Sequence, residues 1–160
     1  MKLSPLQLEG YFLTELSFQA DPTHNPSKPI QFHEHDLVVE PTTTPLPDQE
    51  RRWQVMLKIR LQPGRESNSP YSLSLSLVGV VSAAPQLPAD RLELLIRTNG
   101  PAMLYGAARE MVRDLTARGP FPALSLPSVS FLSDLVGGGE VRTETQGDKS
   151  ATSPASASNE

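Results

Sequence analysis

The polar residues able to do chemistry in this sequence are few, and their spacing decides what that chemistry could be. His33-Glu34-His35-Asp36 sets two imidazoles two residues apart, and an extended strand would turn both to one face as a two-ligand metal pair. A complete site needs a third ligand, which would have to be His24 or a loop carboxylate; the competing reading is a polar stretch of an edge strand beside a loop. Arg109-Glu110 reads as an ion pair, solvated or at an interface, because no cleft partner for catalysis can be named beside it. Gly137-Gly138-Gly139 is not followed by Lys-Ser/Thr and lacks a strand-to-helix setting, so it reads as a hinge rather than a phosphate cradle. No serine sits in a G-x-S-x-G elbow. The absence of cysteine excludes disulfides, thiolate zinc sites and thiol nucleophiles. A net charge of -4 argues against a nucleic-acid surface. These residues predict neither an enzyme nor a metal or cofactor site.

What remains is apolar. Arg118 to Phe131, RGPFPALSLPSVSF, is a proline-broken ribbon with Phe121, Leu124, Leu126, Val129 and Phe131 and no ionisable group after Arg118. With nothing to move a proton, it cannot be a catalytic loop. It must dock on something apolar, within the chain or outside it.

The elements that would position the ribbon are marked off by proline. The 160 residues contain 16 prolines, about twice ordinary usage, and the windows between them carry the regular patterns. From Leu6 to Phe18 the even positions are mainly apolar, Trp53 to Leu61 alternates on the odd positions, and Tyr71 to Leu77 alternates leucine with serine. Each is the pattern of a half-buried strand, and the polar turn 62–70 predicts that the last two pair as a hairpin. Ile30 to Glu40 reads as a fourth strand whose phase slips, which predicts a bulge near 33–36.

The period then changes to three and four through Met103, Leu104, Ala107, Ala108, Met111, Val112 and Leu115, the stripe of an amphipathic helix. Asn99-Gly100-Pro101 marks its predicted start and Arg118-Gly119-Pro120 its stop, with a shorter helical piece over 89–98 before it. Strands first and helix afterwards predict an α+β fold, a four-stranded antiparallel sheet with one long helix packed on one face. Residues 1–136 form the expected domain and 137–160 a disordered tail rich in Gly, Ser, Thr and Ala. The helix stripe and strand faces offer more apolar surface than one small sheet covers, which predicts an oligomer through Met103, Leu104, Ala108, Met111, Val112 and Leu115. The N-terminus does not read as a signal peptide and no segment reads as a membrane span, so a cytoplasmic location is expected.

The segment from Pro101 to Phe131 also carries a resemblance. Tyr105-x-Ala107-Ala108-Arg109-Glu110 on the helix, followed by Arg118-Gly119-x-Phe121-Pro122-x-Leu124-x-Leu126-x-x-Val129-x-Phe131, resembles the SecB family of export chaperones. The likeness implies a dimer of dimers that holds unfolded polypeptides in apolar grooves without ATP. The grooves would lie between the sheet, the crossover after the first strand and the segment after the helix. It places Ile30, Phe32, Leu37, Phe121, Leu124, Leu126, Val129, Phe131 and Leu135 on the candidate groove, with unfolded preproteins or a dedicated client as partners. Acidic residues on the exposed sheet face recruit the secretion motor ATPase in that family. Here Glu15 is kept while Gln19 and the serines and leucines of 74–77 stand where the patch would be, which puts motor coupling in doubt. The remaining alternatives are an oligomeric adaptor and the chaperone of a toxin–antitoxin pair.

Overall fold

The computed structural model describes residues 3–132. β1 (Leu6–Ala20), β2 (Leu37–Pro45), β3 (Arg52–Leu61) and β4 (Tyr71–Ala83) form one antiparallel sheet in the order β1-β4-β3-β2, and α1 (Ala89–Thr116) packs across all four strands. The predicted class and the β3–β4 hairpin are both present. Val55, Leu57, Ile59 and Leu61 of β3 and Leu73, Leu75, Leu77 and Val81 of β4 supply the core on the helix side.

β1 departs from simple alternation. Its register against β4 slips between Leu8 and Gly10 and again between Leu13 and Glu15, so two bulges interrupt the strand. Residues opposite one another across a ladder share a face. Leu6, Leu8, Leu16 and Phe18 therefore lie on the helix side, as the even phase predicts, but between the bulges the phase inverts. Tyr11 and Leu13 face the helix side, opposite Gly79 and Leu77, and Phe12 faces outward opposite Val78. Phe12 is 59% exposed as a result.

The strand predicted from Ile30 is corrected. Residues 30–33 are irregular, 34–36 form a single 3-10 turn, and the strand begins at Leu37 and runs through Pro41 and Pro45. Proline is tolerated there because β2 is a sheet edge, where half the N–H groups have no strand to pair with.

The helix start is corrected as well. α1 is continuous over 28 residues, with Pro101 inside it rather than opening it. Pro101 forfeits one backbone bond, yet Gly100 and Pro101 are both buried against the sheet. A Cβ on Gly100 would lie 3.0 Å from Val55 Cγ2, so glycine sets the close approach of helix and sheet. In the preceding turn the Thr98 hydroxyl donates to the Leu94 carbonyl (2.8 Å) and Asn99 Nδ2 to the Leu95 carbonyl (3.0 Å). Tertiary packing overrides the local signal for a helix start and carries the helix through Pro101. Leu104, Ala108 and Val112 face the sheet and are buried within the protomer, which removes them from the expected oligomer interface; Met103, Met111 and Leu115 stay half-buried on the helix flank.

Candidate functional site

The ribbon after α1 makes no strand. It is held by side chains that reach its backbone. Tyr71 Oη accepts from the Phe121 N–H (3.0 Å) and lies 2.8 Å from the Phe121 carbonyl and 3.2 Å from that of Thr116, to one of which it donates. Thr116 Oγ1 accepts from the Leu124 N–H (2.8 Å) while donating to the Val112 carbonyl (2.7 Å). Further along, Arg109 Nε donates to the Leu126 carbonyl (3.0 Å) and Tyr105 Oη to that of Pro127 (2.6 Å). Burial pushes the Tyr105 phenol pKa up, the neighbouring Arg109 charge offsetting only part of it, so the hydroxyl keeps its donor proton. Arg109 is thus a clamp on the ribbon rather than half of an ion pair with Glu110. Gly119 owes its place to proximity and not to a left-handed backbone: a Cβ there would lie 2.5 Å from Tyr71 Oη.

The crossover between β1 and β2 is tied down in the same manner. Asp36 is buried and accepts from the His33 N–H (2.8 Å), the Gly64 N–H (3.1 Å) and the Ser67 hydroxyl. Burial alone would raise its pKa; the Ser67 hydroxyl, the two backbone donors and nearby His35 (3.6 Å) outweigh that and hold it below the usual carboxylate value. Asn68, in the left-handed region at φ 48°, accepts from the Asn25 N–H (2.9 Å) and donates to the Lys28 carbonyl (2.9 Å). His24 Nδ1 donates to the Asn68 carbonyl (2.8 Å), and its ring meets Phe121 edge-on at 4.9 Å. His33 and His35 stack on each other with centroids 5.5 Å apart. Among the described residues no group of three or more His, Asp or Glu side chains is arranged to hold a metal ion, so His24 does not complete the pair.

Between crossover and ribbon lies an open cleft of about 440 Å³. Phe32, His33, Glu34 and Leu37 form one wall; Pro127, Ser128, Val129 and Ser130 form the other. The apolar groups are Phe32, Leu37, Pro127 and Val129, beside the hydroxyls of Ser128 and Ser130 and the side chains of His33 and Glu34. Nothing in this set moves a proton along a defined path, but it offers an extended apolar segment a place to lie.

Three of the predicted groove residues, Phe32, Leu37 and Val129, come together here. Ile30 is exposed and does not line the cleft. Leu124, Leu126 and Phe131 are corrected to core: they are 2%, 1% and 7% exposed, Phe131 packing edge-on to Tyr105 at 6.1 Å. Phe121 is half-buried against Tyr71 and His24. Leu135 and the expected tail fall outside the described residues. Sequence reasoning missed Tyr71, Thr116, Asp36 and Asn68. Thr116 was signalled by its place four residues after Val112 on an apolar stripe, where a polar group must find partners. Asn68 was signalled by its position ahead of Ser69-Pro70 in a turn.

The architecture is a four-stranded sheet with one helix laid across it and a side-chain-clamped ribbon returning along that helix. The profile described as preprotein translocase subunit SecB matches residues 2–134, and the chain belongs to the SecB family of export chaperones. Among curated relatives, the protein-export protein SecB of Halorhodospira halophila is 29% identical over 130 residues, covering 79% of this chain and 72% of its own. That of Haemophilus ducreyi is 28% identical over 131 residues, covering 79% and 73%. Among solved structures, the SecB-like chaperone of Mycobacterium tuberculosis, in complex with a peptide from the HigA1 antitoxin, superposes with a TM-score of 0.59 at 20% identity, covering 79% of this chain and 91% of that one. That likeness is one of fold. No helix among the described residues is long and apolar enough to cross a membrane.

Proposed function

We propose that this protein is an ATP-independent holdase that keeps client polypeptides extended and unfolded by seating apolar segments between crossover and ribbon. The observation that carries the reading is the cleft itself, where Phe32 and Leu37 face Val129 across a channel with few directional groups. Recognition of many sequences needs apolar area without exacting polar geometry. At about 25 cal/mol per Å² each subsite holds weakly, and repeated sites on an oligomer add through effective concentration. Such a protein works in the cytoplasm as a chaperone rather than an enzyme, with no cofactor.

The repetition comes from self-assembly into a dimer of dimers. β1 is a long edge strand without proline or lysine, with Tyr11, Leu13 and Leu16 46%, 39% and 42% exposed, and it runs beside the Met111–Leu115 flank of α1. An edge of that kind is stable when paired with another chain. The client is favoured to be a dedicated one over motor-coupled export traffic. On the outer sheet face Glu40 pairs with Arg60 (3.1 Å), Glu9 with Arg52, and Glu15 accepts from the Ser76 hydroxyl (3.3 Å), so among the described residues these sheet-face carboxylates are already engaged rather than left as a free acidic run. Toxin–antitoxin service fits the same arrangement.

The test is light scattering from a chemically unfolded preprotein diluted into buffer with equimolar protein and no nucleotide. Suppression is expected, and Phe32→Ser with Val129→Ser should remove it while the fold persists. Failure to suppress the aggregation of several unrelated clients overturns the general holdase and leaves the dedicated partner.

A further inference from the structure

Two features of β1 gain nothing from the register it occupies. Glu9 and Thr14 are skipped by the ladder with β4, each the extra residue of a bulge, and Gly10 to Leu13 between them are paired one step out of phase with the rest of the strand. Gly10 is the second feature. A Cβ there would meet nothing within 4 Å, its φ is not in the left-handed region, and glycine inside a strand gives up side-chain packing. Neither proximity nor backbone conformation requires it here.

A shift of the segment by one residue accounts for both. Tyr11 would stand opposite Val80, Phe12 opposite Gly79, Leu13 opposite Val78 and Thr14 opposite Leu77, running without a break into the Glu15–Ser76 pair. Four residues are paired in either register, Gly10 to Leu13 in one and Tyr11 to Thr14 in the other. The bulge at Thr14 closes, and Glu9 and Gly10 together become the extra residues of one wider bulge, where glycine's freedom is of use. An aromatic residue stands opposite Gly79 both ways, Tyr11 in one register and Phe12 in the other. Burial does little to choose between them, since Tyr11 and Leu13 are 46% and 39% exposed on the helix side and Phe12 59% on the outer face. What favours the observed register is the bond from the Thr14 hydroxyl to the Ser76 carbonyl (3.1 Å).

We infer that residues 10–14 of β1 form a register switch, in which the segment turns over by one step against β4 and exchanges Tyr11 and Leu13 for Phe12 on the helix side. Tyr11 lines a second cleft, of about 360 Å³, with Met111 and Leu115 of α1, and the slip withdraws it. Turning the segment over also reverses which of its backbone N–H and C=O groups point away from β4. A second copy paired on this edge therefore holds one register and frees the other when it leaves. That consequence rests on the assembly proposed above; the slip itself does not.

The chain contains no cysteine, so engineered pairs read the register without competition. Phe12→Cys with Val78→Cys sets two thiols opposite one another only in the observed register, and Leu13→Cys with Val78→Cys only in the slipped one. In a glutathione buffer both pairs should bridge within the chain, the slipped pair with an effective concentration about 10- to 1,000-fold lower, as a minor register of about 0.1–10% requires. Gly10→Ala should lower the slipped bridge by about two- to fivefold and leave the other unchanged, because the added methyl has room in the observed register. No intrachain bridge in the slipped pair, a bridge formed only between chains, or indifference to Gly10→Ala overturns the switch. Should that pair fail to fold, Tyr11→Cys with Val80→Cys reads the same slip. Sedimentation then separates switch from assembly. Protein bridged in the observed register should assemble as the unsubstituted chain does, and protein bridged in the slipped register should not. Equal assembly of the two overturns the link to the edge, whereas a chain monomeric throughout removes the assembly and leaves the bridge ratios as they are.

Discussion

Tyr71→Phe isolates the hydrogen bonds that hang the ribbon on the sheet, because the ring stays and only the hydroxyl goes. The ring keeps its contacts with Phe18 at 5.0 Å and Phe121 at 5.9 Å, so no cavity larger than one oxygen is made. What is lost is the acceptor for the Phe121 N–H and the donor to the Phe121 or Thr116 carbonyl, at a tyrosine with no exposed surface. A buried polar group left without its partner costs about 1–3 kcal/mol, and with partial relaxation of the second group the total should fall near 2–4 kcal/mol. With a urea slope of about 2 kcal/mol/M, the unfolding midpoint should drop by about 1–2 M at fixed protein concentration and unchanged slope. Amide exchange should speed up first at Phe121 and Leu124, ahead of the β3 core, because the ribbon is released before the sheet opens. A loss under about 0.5 kcal/mol would refute the reasoning, placing the ribbon's hold in side-chain packing alone.

Gly119→Ala should cost about 1–3 kcal/mol by thermal or urea unfolding, since its Cβ would land 2.5 Å from Tyr71 Oη and push apart the same joint. Asp36 should make stability pH-dependent in one direction. Its contribution is complete above the unfolded-chain value of about 3.9 and fades as the pH falls through the lower folded value, so unfolding free energy should decline below about pH 4, and Asp36→Asn should flatten that decline while lowering stability at pH 7. Leu13→Lys with Leu16→Lys, both exposed on edge strand β1, should lower the sedimentation mass with little change in circular dichroism; an unchanged mass would move the assembly interface elsewhere.

Much of the fold can be read from periodicity where packing alone decides the pattern. β3 and β4 alternate without interruption because both are interior strands covered by the same helix, so every second side chain meets it. β1 is harder because a bulge costs one residue and leaves no residue type as its mark: Tyr11 and Phe12 are both apolar, and either phase fits the sequence. Pro101 misleads for a related reason, since its local signal is that of a helix start and only burial on the sheet carries the helix through it. The site is less legible than the fold. The ribbon's apolar residues are visible at once, yet the sequence cannot separate Leu124 and Leu126, which anchor it, from Val129, which faces the cleft. That division follows from where Thr116 and Arg109 take hold of the backbone, and those are long-range contacts.

Apart from Leu37, the first residue of β2, both walls of the first cleft lie outside the ladder of the sheet. The ribbon hangs on Tyr71, Thr116, Arg109 and Tyr105, and the crossover on Asp36, Asn68 and His24. A wall fastened at a handful of points can give way one fastening at a time, without melting any strand. The width of the channel is then a property of the occupant as much as of the empty protein. Under the proposed function, a bulky segment would break a bond or two that a slender one leaves intact, so clients of different girth would be received at graded cost by one unchanging scaffold.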